Sequence, residues 1–330
     1  MTVEVVGGGP AGASACLSAL REGVRVRVFE KSAFPRHKVC GEFVSPEVFP
    51  LFERLGVRND FLALAPSRIR HTRLHFSTGS ARIHTKRWTL AEPAYGVSRY
   101  ALDAMLLRAA AQHGAEVVRE TAPPFAGAAR IVAYGRHSRA TKGARLFGFK
   151  AHFSGTGDDA VDLMFFDGCY AGVSAVEGGA INVCGLAPER VLQRYGFHPD
   201  ELLDASPLLR ERVRGLKRTM EWLVTGPLVF RDAFGHSPGE YLAGDALGFV
   251  DPFTGSGLLA AVLTGLMAGT AAARAVPATT HLRACRRALW VQYRTAAMLR
   301  RVVENGWAAA LAPLIPGKAL FEFTRPRITF

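Results

Sequence analysis

The chain reads as an α/β fold in which a parallel βαβ core is interrupted by an antiparallel sheet and followed by helices. Three observations predict it. Val3 to Val6 is a short apolar run that ends in Gly7-Gly8-Gly9-Pro10-Ala11-Gly12; a helical stretch follows to about Glu22, and Val24 to Phe29 is a second apolar run closed by Glu30. Far downstream, Glu240 to Leu242 leads into Gly244-Asp245 and then a helical stretch over 258–275. Between them, Leu74 to Thr85, Leu146 to Phe153, Asp162 to Phe166 and Ala180 to Leu186 alternate as half-buried strands do.

The N-terminal unit has the order that dinucleotide binding requires. In Gly-x-Gly-x-x-Gly, Gly7 permits the tight turn, Gly9 lets backbone N–H groups approach a pyrophosphate, and Gly12 lets the helix pack on the strand. Pro10 and Ala11 open a helix whose N-terminus favours anions. Glu30, 18 residues beyond Gly12, is placed to accept hydrogen bonds from ribose hydroxyls, which favours FAD or NAD over NADP. The bland alternative is a glycine-rich turn in an unrelated α/β domain.

The downstream segment supplies the other end of such a site. Asp245 falls at the C-terminal end of a strand, where ligands bind in parallel sheets, and its carboxylate suits a polyol. Gly255-Ser256-Gly257 opens the next helix and offers N–H groups to a ligand that becomes negative.

The chain of 330 residues has a formal net charge of +13. Arginine carries most of it, because only seven lysines occur, at 31, 38, 86, 142, 150, 217 and 318. The basic residues are scattered, which reads first as a solvated surface; an anionic cofactor or substrate and an anionic membrane surface are the functional readings. No motif points to nucleic acid. The five cysteines, at 16, 40, 169, 184 and 285, have no C-x-x-C spacing, so reduced thiols in the cytoplasm are expected and no metal. The chain opens on a strand, so no signal peptide is expected, and the apolar stretch over 257–273 is short for a bilayer.

Taken together, these segments resemble FAD-dependent oxidoreductases of the glutathione-reductase-like superfamily, in the branch of aromatic hydroxylases, geranylgeranyl reductases and flavin halogenases. Lys31-Ser32-Ala33-Phe34-Pro35-Arg36-His37-Lys38-Val39-Cys40-Gly41 is similar to that branch's K-x-x-F-P-R-x-K-x-C-G stretch, and Val97 to Asp103 looks like its V-x-R-x-x-L-D helix start. The resemblance covers about residues 2 to 275. It implies a Rossmann-like FAD-binding domain with an inserted antiparallel β-sheet substrate domain and C-terminal helices. The expected boundaries are 1–75, 98–145 and 228–275 for the FAD domain, 76–97 and 146–227 for the substrate domain, and 276–330 for the helical segment. By resemblance, Gly7, Gly9, Pro10, Ala11 and Gly12 hold the pyrophosphate, Glu30 and Lys31 lie at the adenosine ribose, Arg36 and Arg99 lie along the phosphates, Gly244 and Asp245 hold the ribitol, and Cys40, Gly255, Ser256 and Gly257 flank the isoalloxazine.

The chain also departs from the branch. Hydroxylases carry an Ala-Asp-Gly segment associated with NAD(P)H use; here the matching residues are Ala133-Tyr134-Gly135, and a carboxylate is lost. The four tryptophans, at 88, 222, 290 and 307, form no Trp-x-Trp-x-Ile-Pro segment, which argues against halogenation. The Tyr-x-Trp-x-Phe-Pro segment of the reductases is represented only by Tyr170. Cys40 and Glu177 are the candidate reactive groups, against a packing thiol and a solvated turn carboxylate. Phe147, Phe149, Phe153, Phe165 and Phe166 are candidates for the pocket wall, with sheet core expected for at least half of them. Residues 281–304 and 307–320 read as helices packed on the FAD domain; a pocket lid, a membrane-surface contact and a dimer face are the other readings.

The expected protein is a cytoplasmic FAD enzyme, monomeric or homodimeric, that takes a small apolar substrate and draws electrons from NADPH or NADH. The leading function is monooxygenation of an aromatic or polyketide-like molecule through a flavin C4a-hydroperoxide. The alternatives are reduction or desaturation of a carbon–carbon bond, and a catalytically silent flavin-binding partner protein.

Overall fold

The computed structural model describes residues 1–78, 82–125, 127, 129–136, 145–204, 206–228, 239–249, 254–305 and 307. It begins with β1 (Thr2–Val6), α1 (Pro10–Arg21) and β2 (Arg25–Phe29). Next come β3 (Phe43–Val44), α2 (Val48–Leu55), α3 (Arg58–Ala63), the long hairpin strands β4 (Ser67–Thr78) and β5 (Arg82–Gly96), and α4 (Arg99–Gln112). Short strands β6 (Glu116–Val118) and β7 (Arg130–Val132) precede β8 (Leu146–Ser154), β9 (Ala160–Phe166), β10 (Cys169–Ala175) and β11 (Ile181–Pro188). Helices α5 (Glu189–Arg194), α6 (Pro199–Asp204) and α7 (Pro207–Val213) lead to β12 (Lys217–Arg218), β13 (Leu223–Leu228) and β14 (Glu240–Leu242), and the last helices are α8 (Gly257–Ala273) and α9 (Ala278–Glu304).

Five strands form a parallel sheet in the order β14-β7-β1-β2-β6. The segment around Gly244 therefore enters the same sheet as the N-terminal turn, although more than two hundred residues separate them. Parallel strands need crossover helices that cover both faces, and α1 is buried along most of its length as a result. It is sandwiched between this sheet and α8, where the Ser18 hydroxyl donates to the Leu266 carbonyl at 2.9 Å.

The second sheet runs β12-β8-β11-β10-β9-β4-β5-β3, with β13 also on β8. It is antiparallel except where β4 and β9 pair in parallel. It takes in residues 43–44 and the whole of 67–78, so it starts ahead of residue 76 in sequence. Its outer face is covered by α5 to α7: Val191, Leu202 and Leu209 pack on Phe149, Phe153, Phe166 and Val173. A buried ion cluster ties this sheet to α7. Asp162 accepts from Arg73 at 2.6 Å and from Arg212 at 2.7 Å, and His75 lies at 3.1 Å. Burial pushes the Asp162 carboxyl up, but these partners outweigh it and hold it well below the usual range.

The helix expected at 281–304 is α9, and the one expected at 307–320 lies outside the described residues apart from Trp307. Among the described residues no helix is long and apolar enough to cross a membrane.

Candidate functional site

Where the two sheets meet, a cavity of about 580 Å³ runs from the first glycine turn to the inner face of the antiparallel sheet. One end is polar and cationic; the other is lined by Leu74, Trp88, Leu163, Tyr170, Leu186 and Leu228.

The polar end is built around the N-terminus of α1. Gly9 is the N-cap, and no side chain caps the helix, so its first N–H groups stay available to an anion. A Cβ at Gly9 would meet nothing nearer than an Arg99 nitrogen at 3.9 Å, so the space in front of the turn is a cradle that a side chain would fill. Gly12 serves differently: a Cβ there would stand 1.7 Å from the Gly7 carbonyl oxygen. Its bare backbone lets α1 rest on the end of β1.

Glu30 ends β2 and is gripped by backbone. The Gly8 and Ser32 N–H groups donate to its two oxygens, each at 2.8 Å, and Arg36 lies at 3.7 Å. Burial alone would raise the carboxyl; these donors outweigh it and hold it below the ordinary range, so it stays an acceptor. Arg99, which opens α4, is fixed by a two-point pair with Asp103 at 2.6 and 2.7 Å. Burial would lower the guanidinium and Asp103 more than restores it.

Lys38 lines the same end of the cavity. Burial, then the neighbouring Arg99 and Arg36, push its ammonium down from 10.5 to about 8. Phosphate charge favours the protonated amine, so FAD binding takes up a proton wherever the free amine has lost it. FAD affinity is expected to be highest below about pH 8 and to fall above it, by up to roughly tenfold per pH unit. Titrating apoprotein with FAD between pH 7 and 10 checks this: Lys38→Met is expected to flatten the slope, and an equal slope in the variant would contradict it.

Asp245 follows β14, where the Gly244 N–H donates to the Thr264 hydroxyl of α8 at 2.8 Å. Its carboxylate faces the cavity with the Arg136 Nε at 3.9 Å. Burial holds the carboxyl above its ordinary range, and Arg136, Arg99 and Lys38 offset only part of that. Arg136 itself stacks over Phe249 at 4.7 Å.

The structure thus brings Gly7, Gly9, Pro10, Ala11, Glu30, Arg36, Cys40, Arg99, Gly244, Asp245, Gly255 and Gly257 onto one cavity wall. Gly12 lies behind the wall for the reason given above, Lys31 is exposed, and Ser256 is buried with its hydroxyl 2.6 Å from that of Thr254. Cys40 is half-buried on the cavity, and its sulfur accepts from the Glu42 N–H at 3.3 Å. Glu177 is placed elsewhere: its carboxylate accepts from the Ser98 N–H at 2.7 Å and from the Ser98 hydroxyl, so it braces the start of α4 and does not line the cavity. None of the five candidate phenylalanines lines the cavity either; Phe149, Phe153 and Phe166 face α5 to α7, and Phe165 stacks on Phe76 at 5.0 Å. Residues 137–144, which follow the Ala133-Tyr134-Gly135 segment, and 250–253, which precede Gly255, lie outside the described residues.

One constellation was not anticipated. Glu42 is fully buried with a φ of +55°. It accepts from the Arg99 N–H at 2.7 Å and pairs with Lys150 and, at 2.7 Å, with His152 Nε2. His37 stands edge-on to His152 at 5.1 Å and stacks on Tyr100 at 4.8 Å. Burial would raise the Glu42 carboxyl, but the His152 hydrogen bond and the Lys150 ammonium hold it below its ordinary range. The available signal was Lys150 and His152 two apart in an otherwise apolar strand, hence on one face of β8.

The comparisons with known proteins agree with this geometry. Residues 1–126 match the protein family described as the FAD binding domain. The menaquinone reductase of Mycobacterium tuberculosis is 34% identical over 118 residues, which is 35% of this chain and 28% of that protein. The match therefore spans little more than a quarter of that curated relative. Among solved structures, the flavin-dependent brominase Bmp2 has a TM-score of 0.75 at 17% identity, covering 98% of this chain and 93% of that one. A flavoprotein/dehydrogenase from Cytophaga hutchinsonii has a TM-score of 0.75 at 16% identity, covering 98% and 96%. At these identities the likeness is one of fold. FAD is the cofactor of this domain, and the uncapped α1 N-terminus, the open cradle at Gly9 and the cationic side chains around it fit that molecule.

Proposed function

We propose that this chain, whose residues 1–126 match the FAD binding domain, is an FAD-dependent oxidoreductase that monooxygenates an apolar aromatic small molecule. The observation that carries this reading is the cavity's continuity. The phosphate-binding end opens without a partition into a compartment walled by Leu74, Trp88, Leu163, Leu186 and Leu228. FAD, when bound, supplies the two-electron redox chemistry. The chain's own residues do the rest. The α1 N-terminus, Arg36, Lys38 and Arg99 would neutralise the pyrophosphate, and Glu30 and Asp245 would hold the two sugar alcohols. The apolar wall orients an aromatic ring and excludes water from it. The five unpaired thiols fit a cytoplasmic enzyme.

A second reading, hydride transfer to a carbon–carbon bond, is favoured by three features. Tyr134 occupies the position of the usual acid and lines the cavity, Cys40 lies on the same wall, and the chain shares 34% identity over 118 residues with a menaquinone reductase.

One experiment separates the readings. FAD-loaded protein is mixed anaerobically with NADPH or NADH, then exposed to 18O2 with long-chain alkylphenols or menaquinone, with bromide present throughout. Bleaching of the flavin and a phenolic product carrying one 18O atom are expected. Menaquinone gaining two hydrogens without 18O would replace this reading with the second. Bromine in the product would replace both with halogenation.

A further inference from the structure

Helix α9 has two faces of very different character. Its inner face holds the protein: His281 bonds the Leu242 carbonyl at 2.9 Å, Tyr293 donates to the Gly248 carbonyl at 2.9 Å, and Cys285, Leu289 and Ala296 are buried. Near its end, Leu299 lines the cavity, and Val303 packs into the cluster that contains Tyr170 and Leu228. The outer face presents Arg283, Arg287, Trp290, Arg294, Met298 and Arg301, all exposed. These positions recur every three or four residues, so they form one stripe along the helix.

Two properties of that stripe are unusual for a face that meets only water. No aspartate or glutamate occurs between residues 278 and 303, so the only acid that α9 brings to its arginines is its last residue, Glu304. A solvated face normally mixes both signs. The apolar side chains on it are also large and open: Trp290 is 58% exposed, Val291 55% and Met298 62%, and Trp307 just beyond is 61%. Arg294 lies over the Trp290 ring at 5.4 Å, so charge and apolar surface are interleaved. Basic groups among Trp and aliphatic side chains on one helix face are what an anionic lipid–water interface accommodates. A second copy of the face is a poor fit, because a two-fold contact would set arginines against arginines.

We propose that the outer face of α9 docks the protein on an anionic phospholipid surface. The guanidinium groups of Arg283, Arg287, Arg294 and Arg301 meet lipid phosphates, while Trp290, Val291 and Met298 enter the interface between them. The inner face of the same helix borders the apolar end of the cavity, so a docked molecule would hold that end beside a lipid phase. This last point rests on the apolar-substrate reading above; the docking stands without it.

The test uses the FAD-loaded full chain and flotation with phosphatidylcholine vesicles, with and without about one-third phosphatidylglycerol. At least tenfold more protein is expected to float with the anionic vesicles, and raising the salt is expected to reverse this. The double variants Arg287→Glu/Arg294→Glu and Trp290→Ser/Met298→Ser are each expected to lower retention about tenfold with FAD content unchanged. Brominated lipid is expected to quench tryptophan emission in the parent and much less in Trp290→Phe, which tests the contact without a charge change. Equal retention on both vesicle types, unchanged retention in both double variants, or equal quenching in Trp290→Phe would each overturn the proposal. So would self-association lost in the arginine variant without any vesicle binding. None of these readouts depends on the reaction catalysed, so failed docking and a failed activity assay are distinguishable.

Discussion

Replacing Glu42 by alanine is expected to cost about 3–5 kcal/mol of stability, the range for removing one partner of a buried ion pair. The side chain is fully buried, and so is the Lys150 ammonium that it neutralises. Truncation leaves that ammonium in an apolar sheet without its counter-charge. It also frees the Arg99 N–H and His152, which both bond to the same carboxylate. Thermal or urea unfolding of Glu42→Ala measures the loss. Glu42→Gln combined with Lys150→Met is expected to recover at least half of it, because the costly element is the orphaned charge rather than the missing contact. A single variant as stable as the parent would show that Lys150 finds another partner. The pH dependence follows from the same pair. The folded carboxyl lies below the ordinary value of 4.5, so its contribution is complete above that pH and is lost as pH falls through the lower folded value. Acid unfolding of the parent is therefore expected below pH 4.5, and Glu42→Gln is expected to lack this component.

The second large effect separates the two tasks that Gly9 and Gly12 have in one motif. In Gly12→Ala the new methyl would stand 1.7 Å from the Gly7 carbonyl oxygen, a backbone atom that no rotamer change can move. The helix must lift off β1, a distortion of about 2 kcal/mol or more. Since the displaced helix end is the anion site, FAD affinity is expected to fall as well. In Gly9→Ala the methyl meets no protein atom closer than 3.9 Å. Its apoprotein is expected to melt within about 1 kcal/mol of the parent while its FAD affinity falls, because the methyl occupies the space the pyrophosphate needs. Flavin-to-protein ratios and apoprotein melting curves read the two effects apart. If Gly9→Ala binds FAD as the parent does, the cradle in front of α1 is not where the phosphates lie.

The first βαβ unit was legible in the sequence almost residue by residue. Its strand, turn and helix follow one another in the chain, and each is dictated by local periodicity and by glycines with a steric task. The strands of the antiparallel sheet were legible as alternating runs, but their neighbours were not. Strand β4 pairs in parallel with β9 across some ninety residues, and no local pattern states that register. The same limit applies to side chains. Glu177 read as an open turn carboxylate because Ser98, which it bonds, is 79 positions away. The five phenylalanines were candidates for pocket wall or sheet core, and Phe149, Phe153 and Phe166 are core, because alternation gives two faces without saying which one the helices cover.

The sequence by itself determined the class of cofactor, the parallel core and the placement of its glycines and acids. Each motif depends on spacing within some thirty residues, over which backbone geometry is nearly rigid, and the choice of FAD came from reading two such motifs, at Gly7 to Glu30 and at Gly244 to Gly257, together. Only the tertiary structure decided that Lys150 and His152 converge on Glu42 from more than a hundred residues away, that Lys38 and Arg136 join the cationic end of the cavity, and that the arginines of α9 share an outer face. Such meetings are set by how sheets and helices stack as whole bodies. That stacking is the sum of many burial and packing terms spread over the whole chain, and no short segment carries it.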